Sequence, residues 1–216
     1  MNILLTSLTY KPHLGGIENS LFWLARELSK MDNKVFIIVG DKGLREGKNL
    51  PKYESIDGID VYRFKRIHSQ NIFSKLIRNV YDTYSSYSLV KKLDKKKQFS
   101  LAIHRSVFPG LGATISLSKS KNIYIPPAVH HLQDSVRSNP IFKNRKFQLN
   151  FKYLIQKYYF LSQTKLAQKA LLTVVDTIFV FSNNMKDQVK KNFPKIKKNI
   201  KIVNPGVDCN HFKPSL

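Results

Sequence analysis

Gly15 and Gly16 are the residues of this sequence best placed to act on a ligand. They follow a short apolar run, Asn2 to Thr6, and the loop Tyr10-Lys11-Pro12-His13-Leu14. They precede Ile17, Leu21, Leu24 and Leu28, which repeat at helical spacing. A strand that ends in paired glycines and opens a helix is a ready phosphate site. Glycine lets the backbone come close, and the free N–H groups of the first turn point at the anion. The pattern is neither the dinucleotide fingerprint nor a P-loop, and a plain tight turn is its alternative. Glu18 sits at the start of the helix, where a carboxylate also simply suits the dipole. His104 and the pair His130–His131 are further candidates, and His13 lies in the glycine loop. A ring nitrogen gives or takes a hydrogen bond from a hydroxyl at neutral pH. The histidine spacings are long and no carboxylate is paired with them, so no metal is expected.

The elements that must position these groups alternate in type. Strands are expected at Asn2–Thr6, Lys34–Gly40, Ile59–Phe64, Phe99–His104, Thr177–Phe181 and Lys201–Val203. Asn122–Val129 reads as a further strand that Pro126–Pro127 confines to an edge or ends early. Helices are expected from Ile17, over Asn71–Leu93, through Leu111, Ile115 and Leu117, over Phe151–Val175, and over Asn183–Phe193 with Ser182 as N-cap. Asp41–Glu54 reads as a surface loop, Lys91–Lys97 as a solvated helix end and Asn139–Lys146 as a basic loop. Strands alternating with helices imply an α/β fold, a doubly wound, mostly parallel sheet with helices on both faces. Ligands bind such sheets at the strand C-terminal ends. Gly15–Gly16, Gly40, His104, His130 and Ser182 all fall just after expected strands and gather on that edge.

Composition bounds the classes of partner. The chain has 216 residues, 42% of them hydrophobic, enough for a proper core. Lys and Arg number 37 against 14 Asp and Glu, a net charge of +23, which calls for an anionic partner or surface unless it reflects a biased genome. The one cysteine, Cys209, rules out an internal disulfide or a cysteine metal cluster. No run approaches the length of a membrane-spanning helix, and the opening apolar run reads as a strand rather than a secretion signal. A soluble or peripheral cytoplasmic protein is the expectation.

Four features in this order resemble the N-terminal half of a GT-B glycosyltransferase of family 4. They are Tyr10-x-Pro12-x-x-Gly15-Gly16-x-Glu18, the segment Ile103 to Gly110, and Val129-His130-His131. The fourth comprises Val175 to Ser182 together with Ile202-Val203-Asn204-Pro205-Gly206-Val207-Asp208-x-x-x-Phe212-x-Pro214. The resemblance implies a Rossmann-like acceptor-side domain over residues 1–203, with residues 204–216 crossing to a donor-binding domain that this chain lacks. It implies a retaining transfer from a nucleotide-sugar donor to a glycan or lipid-linked acceptor, in surface polysaccharide or lipopolysaccharide synthesis. No metal or other cofactor is implied. Gly15 and Gly16 would approach the donor diphosphate. His130, or His131 in the alternative register, would hold the donor sugar, while Glu18, His104 and Ser182 are candidates for acceptor or cleft contacts. The family offers no obvious enzymic nucleophile, and none is assigned. The chain by itself, cut short or one domain of a split enzyme, is expected to turn over no nucleotide sugar.

The basic, aromatic stretches Phe142–Lys169 and Lys186–Lys198 fit an anionic membrane surface or a lipid diphosphate acceptor, with the protein expected on the inner face of the cell membrane. A solvated face with snorkelling stems is the alternative. Two other functions compete. The charge alone suits a nucleic-acid-binding module, but no helix-turn-helix, RNP or zinc signature accompanies it, and no nucleic-acid partner is expected. A non-catalytic subunit of a two-chain glycosyltransferase is the other.

Overall fold

The computed structural model describes residues 1–44, 49–69, 71–129, 132, 151–204 and 206, with backbone alone at 72, 75 and 151–157. Eight strands form one sheet: β1 (Asn2–Thr6), β2 (Lys34–Gly40), β3 (Tyr53–Ile56), β4 (Ile59–Phe64), β5 (Leu101–His104), β6 (Lys121–Tyr124), β7 (Thr177–Val180) and β8 (Ile200–Ile202). Their order across the sheet is β3-β4-β2-β1-β5-β6-β7-β8. Every pairing is parallel except that of β3 with β4. The helices are α1 (Gly16–Lys30), α2 (Ile72–Lys97), α3 (Val107–Ser116), α4 (Phe151–Val174) and α5 (Asn183–Asn192). The expected doubly wound α/β sheet is what forms.

Residues of the central strands are buried on both faces, as covered parallel strands require. On one face Ile3, Leu5, Val35, Ile37, Val61 and Ile103 pack against Leu21 and Ala25 of α1. On the other, Leu4, Phe36, Ile38 and Ala102 pack against Val90 and Leu93 of α2 and Ala113 of α3. Leu171, Leu172 and Val189 of α4 and α5 close the β6–β8 end over Tyr124, Ile178 and Val180.

Three local expectations are corrected. Tyr53 and Glu54 belong to an antiparallel edge strand, not a loop. The signal was present in Asp57–Gly58, both at positive φ, which close a tight hairpin into β4. Pro109–Gly110 does not precede α3 but lies within its first turns, where proline leaves no intrahelical bond broken. Of the two expectations for the Asn122–Val129 strand, the early end holds, at Tyr124 before the prolines, while the edge position does not, because β6 is central.

Candidate functional site

The topology fixes where a crevice must lie. The chain leaves β1 through α1 to β2 on one side, then returns from β4 through α2 to β5 on the other side of β1. Connections therefore diverge between the C-terminal ends of β1 and β5, the position at which open α/β sheets bind ligands. Ser106 bridges the two ends. Its hydroxyl accepts a bond from Leu8 N at 3.0 Å and lies 3.3 Å from Ser7 Oγ.

Gly15 and Gly16 open onto this crevice. Gly15 is the N-cap of α1 with extended backbone and no side-chain cap. The first helical bond runs from Asn19 N to Gly15 O, so the N–H groups of Gly16, Ile17 and Glu18 have no acceptor among the described residues. Gly16 is exposed, and a Cβ there would meet nothing within 4 Å. The loop before it is anchored rather than free. Lys11 pairs with Asp57 at 2.8 Å, Arg63 Nη2 donates to Lys11 O at 2.8 Å, and His13 Nε2 lies 2.7 Å from Lys42 O. Glu18 folds back over Gly15, and its carboxylate accepts the Thr9 hydroxyl. Here it supplies the negative charge that a helix N-terminus favours.

His104 lies beneath this crevice instead of facing it. The side chain is 0% exposed. Nδ1 lies 2.8 Å from Thr6 Oγ1, and Nε2 lies 3.0 Å from Asn122 Oδ1 and 3.1 Å from Thr114 Oγ1. Both ring nitrogens are taken, which leaves none for an acceptor hydroxyl. Burial pushes the ring down to about 4, with the Asn122 bond opposing it. His104 is a core residue tying β5 to β1, β6 and α3, and the expectation that it contacts acceptor is corrected accordingly.

Ser182 is the expected N-cap of α5, its hydroxyl accepting Met185 N at 3.2 Å after β7. It is exposed on the same sheet edge as Gly16. His130 and His131 lie outside the described residues, as does most of the crossing segment after Val203.

Two features at the edge escape sequence reading. The first is a charged cluster after β2 and β4. The Asp41 carboxylate accepts Arg66 N at 3.0 Å and His68 Nε2 at 2.9 Å. Arg66 forks onto Asp82 of α2 with bonds of 2.8 to 3.1 Å. Burial raises the Asp82 carboxyl, and the Arg66 guanidinium opposes that. Asp41 and His68 belong to separate loops, so no spacing in the sequence joins them. The second is Arg105. Its guanidinium donates from Nη1 to Ile125 O at 2.9 Å and from Nη2 to Ser20 Oγ at 3.2 Å. It also lies 5.1 Å from the Phe181 ring centroid. One residue thus reaches α1 and the segments after β6 and β7. Among the described residues no group of three or more His, Cys, Asp or Glu is placed to hold a metal ion.

The comparisons with known proteins agree on the fold. A search of curated proteins returns no match. Sucrose-phosphate synthase from Thermosynechococcus elongatus is similar over 99% of this chain and 50% of its own, with TM-score 0.68 and 12% identity. Anabaena Alr3699/HepE, solved with UDP and glucose, is similar over 100% of this chain and 47% of its own, with TM-score 0.55 and 14% identity. A glycosyltransferase from Rickettsia africae ESF-5 is similar over 99% and 45%, with TM-score 0.54 and 16% identity. The chain thus spans about half the length of these solved structures. The model of Glycosyltransferase Family 4 matches residues 14–211. With that match over nearly the whole sequence, the chain belongs to Glycosyltransferase Family 4 and has the fold of the N-terminal domain of a GT-B glycosyltransferase.

Proposed function

We propose that this chain is the acceptor-side wall of a retaining glycosyltransferase, which moves a sugar from a nucleotide-sugar donor to a glycan or lipid-linked acceptor. Residues 1–203 form the wall, and residues 204–216 cross to a second domain that holds most of the donor. The uncapped first turn of α1 at the β1/β5 switch point carries this reading. Transfer breaks the bond between the anomeric carbon and the donor diphosphate and forms one to an acceptor oxygen. Negative charge grows on the departing diphosphate as the bond breaks. The open N–H groups of residues 16–18 are preorganised donors for that charge. Positioning of the acceptor hydroxyl supplies the rest. His130 or His131 holds the donor sugar, and no metal takes part.

The acceptor in this reading belongs to surface polysaccharide or lipopolysaccharide assembly, and the chain works at the inner face of an anionic membrane. Phe73, Ile77, Val80 and Tyr84 of α2 support this: they are 75%, 55%, 63% and 65% exposed and recur at helical spacing. They form an apolar stripe on a chain of net charge +23. No helix among the described residues is long and apolar enough to cross a membrane.

The test is a transfer assay on the protein that contains this chain. Labelled nucleotide sugars are offered in turn with a bacterial membrane-lipid extract as acceptor. Label entering the lipid fraction with the donor's anomeric configuration is the expected result. No transfer from any donor, or inversion of the anomeric carbon, contradicts the proposal. The 216-residue chain alone is expected to transfer nothing.

A further inference from the structure

Three arginines are buried among the described residues: Arg63, Arg66 and Arg105. Arg63 is paired with Glu54, and Arg66 with Asp82. Arg105, 4% exposed, has no carboxylate partner among the described residues. Its contacts are a carbonyl, a hydroxyl and an aromatic ring, and its Nε is buried with no hydrogen-bond partner. A guanidinium stays charged at neutral pH, and removing it from water without a counter-charge is strongly unfavourable. Burial accordingly lowers the Arg105 pKa from its usual range.

The position of that charge is specific. Arg105 follows the last residue of β5, and its N–H bonds to Thr6 O at 2.8 Å, so it sits at the switch point. Its Nη2 reaches Ser20 of α1, whose hydroxyl in turn donates to Ile17 O at 2.9 Å in the first turn. Among the described residues the cation has no ion pair and the first-turn N–H groups have no acceptor, so beyond the Glu18 carboxylate, which is turned onto Thr9, both favour an anion at this place.

We propose that Arg105 supplies the permanent positive charge of the crevice, and that the balancing anion is the diphosphate of the nucleotide-sugar donor. This rests on the glycosyltransfer reading given above. Arg105 acts through its charge, as a positioning and electrostatic residue behind the N–H groups of Gly16 and Ile17. It stabilises the same leaving group that gains charge as the sugar departs.

Titration of the 216-residue chain with inorganic pyrophosphate, followed by calorimetry, tests this without any sugar or acceptor. Wild type is expected to bind. Arg105→Gln is expected to bind at least about tenfold more weakly, and Arg105→Lys to retain most of the affinity. Lys95→Gln with Lys96→Gln, at the far end of α2, is expected to leave binding unchanged. Thermal melting separates charge from packing: both variants disturb the bonds to Ile125 O and Ser20 Oγ, so similar midpoints for Arg105→Lys and Arg105→Gln with different binding assign the difference to charge. Equal binding by wild type and Arg105→Gln overturns the proposal, as does equal loss in the Lys and Gln variants. So does a wild type that binds no pyrophosphate, or whose binding is lost with the α2 lysines. None of these outcomes bears on sugar transfer, which the labelled-sugar assay decides separately.

Discussion

The imidazole of His104 lies 3.0 Å from Asn122 Oδ1, and that contact sets the protonation of the ring. Asn122 Nδ2 is committed to Leu117 O at 3.1 Å and Ser120 O at 2.8 Å, so Oδ1 must face the histidine and accept. This hydrogen-bond network assigns the proton to Nε2 and leaves Nδ1 to accept the Thr6 hydroxyl. A second ring proton would reverse the Thr6 bond, the hydroxyl then accepting from Nδ1, and would place a charge in the core.

A pH dependence of stability follows. The folded-state pKa is depressed, from the ordinary 6.5 to about 4. Above about 6.5 both folded and unfolded rings are neutral and the full stability is present. As pH falls toward 4 the unfolded chain takes up a proton that the fold excludes, and stability declines by on the order of 3 kcal/mol. Denaturant unfolding between pH 7 and pH 4 measures this, and His104→Gln is expected to remove that part of the slope.

Gly112 sets the distance between α2 and α3. A Cβ there would lie 2.2 Å from Thr83 O and 2.3 Å from Ser86 Oγ. Gly112→Ala is expected to force the helices apart and destabilise the chain by about 1–3 kcal/mol. Chemical denaturation measures the loss.

Asp82 and Arg66 form a buried pair that holds the segment after β4 against α2. Asp82→Leu alone strands the guanidinium and is expected to destabilise by about 3–5 kcal/mol. Arg66→Met with Asp82→Leu is expected to recover much of that, because neither charge is left unpaired. Thermal or urea unfolding of the two variants compares them.

The apolar stripe of α2 is expected to carry membrane binding. Replacing Phe73, Ile77, Val80 and Tyr84 by serine is expected to abolish flotation with vesicles rich in phosphatidylglycerol. Binding of the wild type is expected to weaken as salt rises. Equal flotation of both proteins would remove the stripe from the interface.

The parallel sheet was legible because each strand is a short apolar run ended by a turn or helix signal. Leu4, Ile37 and Ile178 fall where that pattern puts them, at 0% exposure. Ser182 was legible as a cap because capping is a local bond, here three residues long. The role of His104 was not legible, because Thr6 and Asn122, its partners, are 98 and 18 residues away. The buried charge of Arg105 was hidden for the same reason. Its neighbours Ser20, Ile125 and Phe181 come together only when the sheet is assembled.

Gly16 offers the most direct test of the site. The space around it is open, with nothing within 4 Å of an added Cβ, so Gly16→Val should fold normally while its side chain fills the approach to the first-turn N–H groups. Sugar transfer and melting temperature are measured together in the glycosyltransferase that contains this chain. Transfer is expected to fall by at least about 100-fold, matching the loss of preorganised donors to a developing anion, with the melting temperature unchanged. Full transfer by Gly16→Val would show that the crevice between β1 and β5 is not where the donor diphosphate sits.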